Sequence, residues 1–340
     1  MLDLLLIPSL LTLSYSLILI FYPIKISNIS GSFFCFFVFL VCIFYIGFRG
    51  EYGTDYESYN YLFLGKANTE QFGIIFQAIS NLIQSIFFWD DNLKPIIGFL
   101  IIFIIYIFFL FKLAAKFAEI KYFVFLYLFS IMIFPNLLGS VRQGISMIIS
   151  FYAIILIIEK QTLKSFSYSF FAANIHLGGS FGLLISLFTR NFYVLLPIFF
   201  IIFYFAGSFY YEFIFNKLLH YYGFSLPNSS LRVIDLGKII FFPFVIYAIW
   251  KYFGLPSLLV VIFFMTTILS RVFFGDVFDE IVSRMGPYFE VYKLILLKIF
   301  LEKKDWLILQ IFMFLMALSI FPKIISHLGR WDYFFNLHFF

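Results

Sequence analysis

Pro95–Leu138 reads PIIGFLIIFIIYIFFLFKLAAKFAEIKYFVFLYLFSIMIFPNLL, and this stretch decides the fold class. Two apolar runs, 95–112 and 121–138, flank a short connection carrying Lys112, Lys116 and Lys121. Each run approaches the length a helix needs to cross hydrocarbon, about 20 residues. Neither alternates in polarity as a transmembrane strand does. The pattern recurs at 4–22, 32–48, 143–158, 191–211, 236–250, 255–270, 285–301 and 306–322. Over the 340 residues, 63% are hydrophobic and 12% charged, whereas a soluble domain has roughly half and a quarter. A soluble globular protein, a disordered chain and a disulfide-rich secreted module are excluded. The sequence predicts an all-α, polytopic integral membrane protein with roughly 10–11 transmembrane helices, a single domain over 1–340. The first run lacks a basic leader and a small-residue cleavage site, so it reads as a retained span. The net charge of +5 belongs to topology and carries no nucleic-acid affinity.

Charge asymmetry sets the orientation. Lysines crowd three short connections: Lys112, Lys116 and Lys121; Lys160 and Lys164; Lys298, Lys303 and Lys304. Such connections face the cytoplasm. Walking outward from the first and backward from the last, the two walks meet only if 165–189 starts and ends in the cytoplasm. A re-entrant helix pair near 165–189 satisfies that and a single crossing does not. Gly178-Gly179 supplies the break. His176 then sits at the tip, and irregular backbone at membrane depth belongs where protein buries it or a wet cavity reaches it. The outer segments are near 49–94, 212–235 and 271–284. Within the first, Phe72, Ile75, Phe76, Ile79, Leu82, Ile83 and Ile86 follow helical spacing, with Gln77, Ser80, Asn81 and Gln84 opposite. That predicts an outer interfacial helix near 71–88.

The arginines depart from the lysine pattern. Arg49, Arg142, Arg232, Arg271, Arg284 and Arg330 all fall at outer ends of predicted spans, where the positive-inside rule does not put them. Arginine's planar fork binds phosphate bidentately and keeps its charge. Several at one face suit a lipid-linked phosphate or pyrophosphate, or pair with local carboxylates or phospholipid headgroups. Four clusters carry polar chemistry. Arg49-Gly50-Glu51-Tyr52-Gly53-Thr54-Asp55-Tyr56-Glu57-Ser58-Tyr59 offers carboxylates and rings that suit a sugar hydroxyl and its C–H face. Val141-Arg142-Gln143-Gly144 opens a span, where a helix N-terminus adds partial positive charge. His176 is the third, as a structural hydrogen-bonding residue or as a donor or base. Arg284-Met285-Gly286-Pro287-Tyr288-Phe289-Glu290 is the fourth, with Glu290 and Lys293 spaced to pair. No His/Cys/Asp/Glu set has metal-ligand spacing, and no nucleotide or hydrolase motif occurs, so neither metal nor cofactor is expected.

In this order the four clusters resemble the EpsG-like family of bacterial membrane proteins, which groups with the Wzy-type polymerases of O-antigen and other exopolysaccharides. The residues that carry the resemblance are Arg49 with Gly53-Thr54-Asp55-Tyr56 and Tyr59, Glu70 before the interfacial helix, Arg142-Gln143, His176, and Arg284 with Tyr288. Two positions depart from the pattern: Gly178-Gly179 follows His176, and Ser283 stands where an acidic residue is usual.

The resemblance implies a membrane glycosyltransferase that polymerises undecaprenyl-pyrophosphate-linked repeat units into O-antigen, capsule or exopolysaccharide. It would act at the outer face of the bacterial inner membrane, among membrane lipids, together with a chain-length regulator. It implies Arg142 and Arg284 at the pyrophosphate with Arg49 and Arg271 behind them. Asp55 or His176 is the base, and Tyr56, Tyr59, Glu70, Gln143 and Tyr288 line the sugar site. An O-antigen ligase or another polyprenyl-phosphate-dependent glycosyltransferase shares these features. A flippase would show an inverted repeat, which the chain lacks. The topology is testable directly. In a background without Cys35 and Cys42, Leu177→Cys should react with a water-soluble maleimide added outside; labelling only from the cytoplasm would contradict the re-entrant pair.

Overall fold

A computed structural model describes residues 2–21, 31–33, 35–36, 39–40, 56–67, 74–132, 140–179, 182–183, 185, 239–274 and 286–321. All regular structure among the described residues is helical. The helices are α1 (Leu2–Phe21), α2 (Tyr56–Phe63), α3 (Ile74–Ile86), α4 (Leu93–Ala114), α5 (Lys121–Met132), α6 (Val141–Ile158), α7 (Thr162–Ile175), α8 (Phe242–Lys251), α9 (Leu255–Phe274), α10 (Tyr292–Glu302) and α11 (Trp306–Leu318). Two stretches, Leu93–Ile131 and Val141–Ile158, are long and apolar enough to cross a membrane. The predicted span 191–211 lies outside the described residues, and 32–48 is described only in part.

The lysine-rich connections are the tips of helical hairpins. Between α4 and α5, the 3₁₀ segment Ala115–Ile120 leaves helical geometry at Phe117 (φ −117°, ψ 45°). The chain reverses there, so Phe111 stacks on Phe125 with ring centres 4.4 Å apart. At the α6–α7 tip, Lys160 takes φ +60°, and the N–H groups of Lys160 and Gln161 bond back to Ile157 and Leu156 at 2.9 and 2.8 Å. At the α10–α11 tip, Lys304 takes φ +54° and the same pair of bonds reaches Leu301 and Phe300 at 3.1 and 3.0 Å. These are Schellman closures that satisfy the last carbonyls of each helix. Lysine occupies the left-handed position where glycine is the usual choice.

The three tips are tied together. Glu159 accepts from Lys116 at 2.6 Å and from Lys298 at 3.1 Å, and Lys298 also donates to the Lys116 carbonyl at 2.8 Å. Lys112 bonds the Tyr168 hydroxyl. Nearby, Asp305 accepts from Tyr247 and Tyr252, both at 2.7 Å, and from Lys251 at 3.1 Å. Lysine clusters far apart in sequence thus share one end of the bundle.

Above this end, α6 and α10 form the centre. Every residue of α6 except Arg142 and Ile158 is buried, and Tyr292 to Leu301 of α10 are all buried. α4, α5, α7, α8, α9 and α11 pack around them, with α1 held to α5 by a Thr12–Ser130 hydroxyl contact of 2.9 Å. α4 shows one apolar face outward through Ile104, Phe108 and Phe111, as a helix facing lipid does.

Three expectations change in detail. The run predicted as 285–301 is interrupted: Gly286–Phe289 is helical, a turn follows at Glu290 and Val291, and α10 resumes at Tyr292. Glu290 and Lys293 do pair, at 2.7 Å and almost fully buried, with the Lys293 ammonium over the Phe241 ring at 4.6 Å. The first arm of the 165–189 segment starts earlier, at Thr162. Finally, the polar face expected on the 71–88 helix is split. Ser80 and Gln84 turn inward and donate to the Leu62 carbonyl at 2.6 and 3.3 Å, while Leu82, Ile86, Phe88 and Trp89 stay exposed. The Leu62 carbonyl at the end of the short α2 also accepts the Gly65 N–H at 3.1 Å, and these two side chains add to that closure.

The burial of Glu159 pushes its carboxyl up, but hydrogen bonds from Lys116 and Lys298 outweigh this and hold it below the ordinary 4.5. A carboxylate depressed in the folded state contributes stability above its unfolded value and loses it as pH falls through the folded value. Glu159→Gln should lower stability at neutral pH by about 1–2 kcal/mol, allowing for solvent screening. The difference from wild type should shrink as the pH drops below the ordinary glutamate value, read by thermal unfolding in detergent.

Candidate active site

α6 and α7 run antiparallel, and their lengths match. Gln143 to Glu159 rises about 24 Å and Thr162 to His176 about 21 Å. His176 therefore meets the start of α6. It leaves helical geometry (φ −153°, ψ 137°), and the 3₁₀ turn Leu177–Gly179 follows. The chain then turns back. A Cβ at Gly179 would lie 2.5 Å from the Ala172 carbonyl, whereas one at Gly182 would meet Ser169 at 3.2 Å and Ser150 at 3.6 Å. Over three residues the backbone has moved one turn down both helices. Residues 182, 183 and 185 are helical; 180, 181, 184 and 186–189, and with them the second arm of the expected re-entrant pair, lie outside the described residues.

Small side chains make this close packing possible. Ser146 donates to the Ala172 carbonyl at 2.9 Å and Ser150 to the Ser146 carbonyl at 2.8 Å. Ser165 and Ser169 on α7 are fully buried. The sequence carried a signal for this seam, Ser146/Ser150 and Ser165/Ser169/Ala172 at helical spacing. Small residues at such spacing mark close helix contacts in membranes.

Four segments meet at the opening of α6. The Arg142 N–H donates to the Tyr59 hydroxyl of α2 at 3.3 Å. The Tyr288 hydroxyl, from the helical stretch Gly286–Phe289, lies 3.4 Å from the Gln143 carbonyl and 3.3 Å from His176 Nδ1. The Gly178 N–H donates to the same Nδ1 at 3.1 Å. The Ser140 side chain makes no cap on α6, and no acidic residue stands in its first turn. The half-buried Arg142 stands at this helix end, where the dipole adds partial positive charge.

Rings fix the approach of α2. Tyr56 stacks on Phe99 at 5.3 Å. Tyr59 leans on Phe76 and Phe99 at 5.8 and 6.2 Å. Tyr59 and Tyr288 are both 1% exposed, so their rings serve packing and their hydroxyls position the α6 opening. Tyr56 keeps part of its surface open. Phe76, Phe99 and Ser146 position the site; spacing put Phe76 on an apolar helix face and Ser146 in a small-residue seam, but it assigned none of the three to the site.

Of the candidate residues, the structure brings together Tyr56, Tyr59, Arg142, Gln143, His176 and Tyr288. Arg49, Asp55, Glu70 and Arg284 lie outside the described residues. Arg271 stands near the end of α9, and only its backbone is described.

Residues 32–339 match the model of the EpsG family. The chain belongs to the EpsG family. The match takes in every segment that meets at the α6 opening. The EpsG family is a membrane-associated family of polysaccharide biosynthesis, and the apolar helices of this member agree with that setting. No curated protein and no solved structure matches the chain.

The turn that carries His176 depends on glycine. Gly179→Ala must move the Ala172 backbone and should cost about 1–3 kcal/mol, the scale of overpacking. Gly286→Ala, whose Cβ would meet nothing within 4 Å, should stay within about 0.5 kcal/mol of wild type. Thermal unfolding in detergent compares the two.

Proposed function

We propose that this EpsG family member is a polysaccharide polymerase that uses polyprenyl-pyrophosphate-linked repeat units, with its active site at the α6 opening on the outer face of the bacterial inner membrane. The growing glycan on undecaprenyl pyrophosphate is the donor, and a single lipid-linked repeat is the acceptor. The acceptor hydroxyl attacks the donor's anomeric carbon. A C–O bond to the acceptor forms, the C–O bond to the pyrophosphate breaks, and the hydroxyl proton passes to a base. The departing diphosphate takes the bonding electrons.

Two charges must be managed in that step. The diphosphate gains negative charge, and preorganised donors in a site of low polarity stabilise it without reorganisation. Arg142 and the positive end of the α6 dipole offer such stabilisation, with Arg284, Arg271 and Arg49 as further guanidinium groups. The nucleophile loses a proton, which Asp55 or His176 accepts. Tyr56 and Glu70 contact sugar, and Tyr59, Gln143 and Tyr288 hold the opening in shape. A chain-length regulator would act on this enzyme from outside the chain.

The observation that carries the reading is the meeting of Tyr59, Gln143, His176 and Tyr288 beside Arg142. These residues come from four polar clusters in an otherwise apolar sequence. Purified protein given its lipid-linked repeat should make a ladder of products without any nucleotide sugar. Arg142→Ala should abolish the ladder at normal protein level. Arg142→Lys should also fall, by about tenfold or more, because lysine keeps the charge and loses the fork. Transfer of one glycan to a foreign acceptor with no ladder would point to a ligase, and a normal ladder from Arg142→Ala would remove that residue from the mechanism.

A further inference from the structure

His176 has two ring nitrogens, and the structure gives them different tasks. Nδ1 receives the Gly178 N–H at 3.1 Å. A backbone N–H can only donate, so Nδ1 meets it with its lone pair. The Tyr288 hydroxyl stands 3.3 Å from the same nitrogen. Its alternative acceptor is the Gln143 carbonyl at 3.4 Å. A neutral imidazole that accepts at Nδ1 carries its proton on Nε2.

The surroundings keep this arrangement. The Tyr288 ring is buried and lies nearly parallel to the imidazole, at 11° with centres 6.5 Å apart. Gly178 lets the backbone come this close, since a Cβ there would sit 2.5 Å from the Tyr288 ring. The extended backbone at His176 (φ −153°, ψ 137°) takes its side chain off the face that α7 would otherwise give it.

We infer that the Gly178 N–H, with Tyr288 packed against the ring, fixes His176 as the Nε2–H tautomer, so that His176 serves the site as a hydrogen-bond donor and not as the base. The proton of the acceptor hydroxyl then goes to a carboxylate. Tyr288 is a positioning residue: it acts through His176. The donor task rests on the polymerase reading above, whereas the tautomer does not.

The test is nitrogen NMR of the ¹⁵N-histidine-labelled protein in detergent at neutral pH, with the His176 signals assigned by their loss in His176→Gln. Nε2 should be the protonated nitrogen and Nδ1 the bare one. A proton on Nδ1 would overturn the inference. Tyr288→Phe, checked for folding by thermal unfolding, should move the Nδ1 signal. On the lipid-linked repeat it should lower kcat by about five- to tenfold, the scale of one lost hydrogen bond, with KM nearly unchanged. Unchanged nitrogen signals in that variant would remove Tyr288 from the role. If wild type shows the expected tautomer and makes no ladder, the polymerase reading fails and the tautomer assignment stands. If the ladder forms and Nδ1 carries the proton, the reverse holds.

Discussion

Glu159 accepts from two lysines that belong to two other hairpins, and the level of the whole bundle follows from that. A carboxylate and ammonium groups partly shielded from water favour one another, because shielding each alone is costly. The pairing therefore fixes the tips at 115–120, 159–161 and 303–305 near one plane. Helices have a set rise per residue, so fixing one end fixes the other. α6 and α7 climb nearly equal distances from the lysine end. The stretch from Lys298 back to Tyr292 rises about 9 Å, and the turn at Glu290 and Val291 and the lysine side chain span part of the remainder. Arg142, His176 and Tyr288 come to one height for this reason.

The far end is built by the opposite device. It has few ion pairs among the described residues and relies on close backbone approach. Serines and glycines bring α6, α7 and the turn Leu177–Gly179 together, and a buried tyrosine closes the gap to the stretch Gly286–Phe289. Hydroxyl-to-carbonyl bonds hold the seam where helices meet without large side chains. One end is thus locked by charge. The other is shaped by the absence of side-chain volume, which leaves room for a polar turn inside an apolar bundle.

Much of this was legible in residue order. The runs at 95–112, 143–158, 255–270 and 306–322 lie within a few residues of observed helices, because apolar length alone dictates them. The Glu290–Lys293 pair followed from i, i+3 spacing. The interfacial helix was legible as a helix but not in its facing. Ser80 and Gln84 looked like a water-facing stripe until α2 brought its Leu62 carbonyl beneath them. The break at Glu290 and Val291 was likewise hidden, since the run 285–301 is apolar on both sides of it.

The sequence by itself determined the helical membrane class, the lysine-rich end and the clusters that carry polar chemistry. These depend on composition and on spacing within single helices. Only the tertiary structure decided that Tyr59 meets the Arg142 N–H, that Tyr288 meets Gln143 and His176, and which nitrogen of His176 faces the Gly178 N–H. Those contacts join residues as far apart as 143 and 288 through hydroxyl and backbone groups. Their distances depend on how the helices pack, and no local pattern in the chain encodes that.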